Sequence, residues 1–333
     1  MFEPTQVTYR ALQVNTLSDD FSGTSLVQKQ GPAMAADSVW VRVRAAALNY
    51  PDVLMTQGAY QFKPELPFVP GLEVAGEVIA VGEAVTHVKA GDAVVAMTRQ
   101  GGLAQYLMAR SAEVRAMPAG LTWAQGAAYS VAGLTAYVAL VNRGQLQPGE
   151  VLAVHGATGG TGLAAVQLGH HLGARVIATG RSLEKLAVAR DAGADQLLAI
   201  GPNLRQDLIE LSGGQGVDVV FDPIGGDVFD ASMRALAWGG RLLVIGFVSG
   251  RAAEVRSNYA LIKGTSVVGV RAGEFVRRDP TRGAQAIQAV DAMASKGILR
   301  PPIHAEYPLD QALDAMRLMA SGGVRGKLVV CMD

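Results

Sequence analysis

With 333 residues, the chain is long enough for two domains, each with its own core. Lys and Arg (29) balance Asp and Glu (29), which removes the electrostatic case for nucleic acid or an anionic membrane as main partner. Half of the residues are apolar, yet no run of about 18 uninterrupted apolar residues occurs, which excludes a membrane-spanning helix.

In chain order, Met1-Phe2-Glu3-Pro4 has neither the basic stretch nor the apolar core of a signal peptide. The single cysteine, Cys331, cannot form a disulfide within the chain, and both features point to a reducing cytoplasm. Residues 39–45 alternate with period two, as a half-buried strand should. Residues 73–81, 92–96 and 103–108 read as further short strands among Gly and Pro turns, giving an irregular β-rich first domain. From Val151 the pattern changes. Strands are predicted over 151–155, 175–179, 196–200, 217–221, 241–246 and 265–270, with helices such as 182–191 and 228–237 between them. That alternation builds a doubly wound parallel sheet, so the fold class is α/β. A helix over 283–295 and a strand over 326–330 carry no new domain signature. The expected domains are therefore 1–128, 129–270 and a return segment, 271–333, that completes the first.

The densest signal is His155-Gly156-Ala157-Thr158-Gly159-Gly160-Thr161-Gly162, set between an apolar strand and a small-residue helix. Gly159 allows close approach of a pyrophosphate, Gly162 lets the helix pack on its strand, and the helix N-terminus faces the phosphates. Gly156, Gly160 and Thr161 complete this candidate Rossmann dinucleotide loop. The next strand ends in Gly180-Arg181-Ser182, with Lys185 one turn later. An NAD site places Asp or Glu there for the ribose hydroxyls. Here two charges and a hydroxyl stand ready for a 2′-phosphate instead, which selects NADPH.

Ala47-Leu48-Asn49-Tyr50-Pro51-Asp52, Gln57-Gly58-Ala59-Tyr60, Val69-Pro70-Gly71-Leu72-Glu73, Ala90-Gly91-Asp92 and Ala192-Gly193-Ala194-Asp195 accompany the glycine loop. So do Phe221-Asp222-Pro223-Ile224-Gly225-Gly226 and Gly246-Phe247-Val248-Ser249-Gly250. Together these segments resemble the medium-chain dehydrogenase/reductase superfamily, in its zinc-independent quinone oxidoreductase branch, over essentially the whole chain. The resemblance implies a GroES-like catalytic domain beside the Rossmann domain, and a homodimer paired through the strand at 265–270. Zinc-dependent relatives carry Cys near the position of Asn49 and His in a Gly-His-Glu motif that reads Gly71-Leu72-Glu73 here. With one cysteine and five scattered histidines, no tetrahedral ligand set is expected, and His155 reads as a structural residue.

Without a Lewis acid, alcohol oxidation is disfavoured, and the expected reaction is reduction of a quinone or another activated acceptor by NADPH. The resemblance places Asn49 beside the nicotinamide ribose and aligns Tyr60 with the proton-donating tyrosine of enoyl-thioester reductases. Tyr50 and Asp52 are expected at the substrate pocket. Thr135, Ile245, Gly246, Phe247, Val270, Arg271 and Lys327 are expected as further cofactor contacts. Two alternatives stand beside the quinone reading: an enoyl-thioester or enone reductase with Tyr60 as proton donor, and a non-catalytic NADPH-binding protein.

Overall fold

The computed structural model describes residues 4–332, so Met1-Phe2-Glu3 of the leader reading lies outside the described residues. The chain forms two compact units, Met1–Val131 with Pro301–Asp333, and Ala132–Arg300. The return to the first unit thus falls at Pro301, not at residue 271. The reason is packing. The helices Ala272–Arg278 and Pro280–Ser295 pack on each other, and Val290 and Leu299 close on Gly133 in the helix Ser130–Tyr137. That apolar face keeps residues 272–300 with the second unit.

The first unit opens with β1 (Thr8–Val14) and β2 (Thr24–Gln30), an antiparallel pair that is not among the predicted strands. β3 (Ser38–Ala47), β4 (Glu73–Val81), β5 (Ala93–Met97), β6 (Tyr106–Arg110) and β7 (Val114–Ala116) follow. The second unit contributes β8 (Val151–Val154), β9 (Arg175–Gly180), β10 (Gln196–Ala199), β11 (Val217–Asp222), β12 (Leu236–Val244) and β13 (Ser266–Gly269). The chain then returns as β14 (Ile303–Pro308) and β15 (Lys327–Cys331).

In the first unit the strand order is β14-β15-β3-β4-β5-β7, with β6 also paired to β3. Leu12, Val41, Val43, Leu48, Val74, Leu107, Met316 and Val330 are core residues there, so the alternating side of β3 faces inward. Two neighbours frame the end of β3: Ala47 lies opposite Glu73 on β4 and opposite Val329 on β15, both antiparallel. That register brings the start of β4 and the start of β15 to the first residues after β3.

In the second unit all six strands are parallel, in the order β10-β9-β8-β11-β12-β13. The order reverses direction between β8 and β11, the switch point at which such sheets bind ligands. Val151, Ala153, Ile177, Val220 and Leu242 pack against Leu204, Leu208, Phe229 and Met233. β12 begins at Leu236, directly after the helix Gly226–Ala235, and not at residue 241. Its pairing jumps from Val217–Leu236 to Val219–Arg241, and the bulge at Trp238-Gly239-Gly240 hides the alternation that marks a strand. Among the described residues no helix is long and apolar enough to cross a membrane.

Candidate active site

In the first unit the site grows from the end of β3. Asn49 caps the helix Tyr50–Thr56, whose first turn holds Pro51 at a position where its missing N–H costs nothing. Asp52, in that turn, is fully buried and accepts from the backbone N–H groups of Asn49 (2.8 Å) and Gly71 (2.9 Å). Gly71 has φ +111°, a conformation that favours glycine, and this is how its N–H turns toward Asp52. Burial pushes the Asp52 carboxyl up to about 7, and Glu73 adds to the rise, while the two N–H donors and Lys327 oppose it.

The side chain of Asn49 is held on every side. Its Nδ2 donates to Glu73 Oε1 (3.0 Å) and to the Ala47 carbonyl (3.3 Å), and its Oδ1 accepts from Lys327 Nζ (2.7 Å). Lys327 Nζ also donates to Glu73 Oε1 at 2.8 Å, in an ion pair whose side chains are 4% and 1% exposed. Glu73 Oε2 accepts from the Val131 N–H (2.8 Å). Asn49, Asp52 and Lys327 are thus brought together, and Glu73, to which no role is assigned from sequence, joins them. Its only sequence signal is an acid inside an apolar stretch, Leu72-Glu73-Val74-Ala75. Tyr50 is half-buried at the start of its helix. Tyr60 belongs to a neighbouring apolar cluster with Val14, Met55, Phe68, Phe62 and Leu72, and no hydrogen bond among the described residues joins it to the buried group.

In the second unit the predicted cofactor residues gather at the carboxyl ends of the strands. Gly156 to Gly162 follow β8, Gly180 to Lys185 follow or end β9, Ile245 to Phe247 follow β12, and Val270 and Arg271 follow β13. Thr135 lies on the helix Ser130–Tyr137, outside this row. A Cβ on Gly162 would stand 2.3 Å from the Gly156 carbonyl oxygen, so the helix Gly160–His171 packs on its loop as only glycine permits. A Cβ on Gly159 would meet nothing closer than 3.6 Å, leaving that side of the loop open. Arg181 is exposed, and Ser182 caps the helix Leu183–Asp191 through the Lys185 N–H (3.4 Å). Ile245 N–H donates to the Asp222 carbonyl and Val270 N–H to that of Val244, which ties both strand exits down.

His155 is fully buried beneath the loop, and burial pushes its pKa down. Its Nε2 and Nδ1 lie 2.7 Å from Ser232 Oγ and Thr179 Oγ1. Ser232 already donates to the Val228 carbonyl, so it accepts from Nε2–H, and Nδ1 accepts from Thr179. A neutral, fully bonded imidazole is a structural group. Asp222, like Glu73, has no role assigned from sequence: its Oδ1 accepts from the Ile224 and Gly225 N–H groups and shapes the turn after β11. Among the described residues, no three of His, Cys, Asp and Glu are grouped so as to hold a metal ion.

Residues 35–148 match the family model of the alcohol dehydrogenase GroES-like domain, and residues 160–292 that of the zinc-binding dehydrogenase. The chain is similar to the quinone oxidoreductase-like protein 2 homolog of Nematostella vectensis, with 34% identity over 332 residues, 97% of this chain and 88% of that protein. In structure it is similar to a probable oxidoreductase from Mycobacterium abscessus, with TM-score 0.89 and 35% identity over 98% of this chain and 99% of that one. A mycobacterial protein solved in complex with NADPH matches with TM-score 0.89 and 27% identity, over 97% of this chain and 100% of that one. This chain belongs to the medium-chain dehydrogenase/reductase superfamily, in its zinc-independent quinone oxidoreductase branch.

Proposed function

We propose that the chain is an NADPH-dependent reductase whose acceptor is a quinone. The observation that carries the cofactor is the end of β9, where Gly180-Arg181-Ser182 replaces the acid of an NAD site. The name of the Nematostella vectensis relative and the NADPH complex of the mycobacterial neighbour support the same reading.

The residues present fit NADPH. The open side of Gly159 and the N–H groups at the start of the helix Gly160–His171 suit the pyrophosphate. Arg181, Ser182 and Lys185 suit the 2′-phosphate, while Thr135, Ile245, Gly246, Phe247, Val270 and Arg271 would hold the nicotinamide half. Asn49 and Lys327 would meet the ribose or the acceptor. When bound, NADPH supplies the hydride, and the chain's part is to bind, orient and exclude water. Quinone oxygens take their protons from water, so this reaction asks for no dedicated proton donor.

One observation favours a second reading. Tyr60 is half-buried among Val14, Met55 and Phe68, with no hydrogen-bond partner for its hydroxyl among the described residues. Such a phenol could protonate the product of enoyl-thioester or enone reduction, a role that contributes about 10²–10⁴-fold. NADPH oxidation with a panel of quinones, enones and enoyl-thioesters separates the two. The quinone reading expects the highest kcat/KM with a quinone and a Tyr60→Phe variant that keeps most of it. A best substrate among the enoyl-thioesters, with a loss beyond about a hundredfold in Tyr60→Phe, would replace it.

We also propose that the protein works as a homodimer in the cytoplasm, joined at β13. This strand is the edge of the six-stranded sheet, and Ser266, Val267 and Gly269 are exposed along it. Trp238, Leu261 and Ile262 on flanking segments are 79%, 83% and 64% exposed, an apolar surface that a symmetry mate would cover.

A further inference from the structure

We propose that Glu73 is the positioning residue of the active site, its carboxylate fixing the Asn49 amide and the Lys327 ammonium in the one arrangement in which they can act. The inference rests on the reading of Asn49 and Lys327 as contacts to cofactor or acceptor.

Glu73 is 1% exposed and receives three donors from separate parts of the chain: Lys327 Nζ and Asn49 Nδ2 at Oε1, and the Val131 N–H at Oε2. A carboxylate offers acceptor lone pairs at both oxygens, and both are used here, which an amide in the same place could not match. The closed triangle of Glu73, Asn49 and Lys327 also decides which way the amide points. A flipped Asn49 would set its NH₂ against the ammonium and its oxygen against the carboxylate. Both Nδ2 hydrogens are engaged, by Glu73 and by the Ala47 carbonyl. What the triangle leaves to act is the second lone pair of Asn49 Oδ1 and the third N–H of Lys327, since an ammonium has three donors and two are engaged. Glu73 therefore acts through both neighbours and touches no substrate itself.

The test is Glu73→Gln, which keeps the shape but has a single acceptor oxygen. Its NH₂ must face either Val131 N–H or the Asn49–Lys327 pair, and one side of the arrangement is lost. Hydrogen exchange of the Asn49 side-chain amide, read by NMR on ligand-free protein labelled at asparagine, is expected to accelerate about tenfold or more. The expected kcat falls about tenfold or more, while the NADPH dissociation constant, set mainly by the phosphate contacts, changes less than about threefold. Should Glu73→Gln not fold, Glu73→Asp, which keeps a carboxylate but draws it back from Asn49 and Lys327, serves in its place, and the same outcomes apply. Unchanged amide exchange, or a kcat within about twofold of the unmodified protein, overturns the proposal. An unmodified protein that oxidises no NADPH with any acceptor overturns the functional reading instead, which the exchange measurement does not depend on.

Discussion

Asp52 combines full burial with two backbone donors, and burial has the larger effect on its proton. Its ordinary value of 3.8 rises to about 7 in the folded chain. Between those values the folded state holds a proton that the unfolded state has released. The contribution to stability is complete below the unfolded value, declines as pH rises, and is lost as pH passes the folded value. Asp52→Asn has no such slope, and its amide, which turns an NH₂ toward one donor, adds only a constant offset. Unfolding curves at about pH 5 and about pH 7 should show the unmodified protein losing about 1–3 kcal/mol relative to the variant. Parallel curves would contradict the burial account. His155 works with the opposite sign. Its lowered pKa makes its contribution complete above the unfolded value of 6.5 and lost as pH falls through the folded value. It is common to both proteins and cancels in the comparison.

The elements were legible where short-range pattern governs them. β4 runs over the predicted 73–81, and β8, β9 and β11 fall within a residue or so of their predictions, because each is a Val- or Ile-containing run buried in its sheet. β10, Gln-Leu-Leu-Ala and only partly buried, also falls within a residue of its prediction. β2 is hard to read, since Thr24–Gln30 is a largely polar, half-exposed strand, whereas β1 does carry an apolar side in Tyr9, Ala11 and Val14. The partners of Glu73 were not legible for another reason: Lys327 stands 254 positions away, and only the register of β15 on β3 brings it back. The glycine loop separates two jobs that sequence assigned to two glycines. Gly162→Ala should destabilise the unliganded protein by about 1–3 kcal/mol, because a Cβ at 2.3 Å from a carbonyl forces the helix off its loop. Gly159→Ala, with φ −85° and open space, should leave the melting temperature within about 2 °C while weakening NADPH binding. Equal melting losses in both variants would sink this division.

At the scale of the molecule, the two-unit arrangement follows from the change of period near Val151, but the point of return does not. Residues 272–300 carry ordinary amphipathic helices, and only their packing on Gly133 reveals which unit owns them. The edge at β13 makes a testable statement about assembly. Light scattering at micromolar concentration should give twice the 34.7 kDa of one chain, and Val267→Lys should shift it toward the monomer. A monomer in the unmodified protein would refute pairing at that edge. The most direct test of the reaction itself is the ratio of kcat/KM for NADPH to that for NADH, with a quinone as acceptor, in the unmodified protein and in Arg181→Ala. NADPH should be favoured at least about tenfold, and the variant should lose about ten- to a hundredfold of that preference, since a charge-assisted contact to the 2′-phosphate contributes about 1.5–3 kcal/mol. Equal turnover of both cofactors by the unmodified protein, or no turnover of any quinone, would contradict the account.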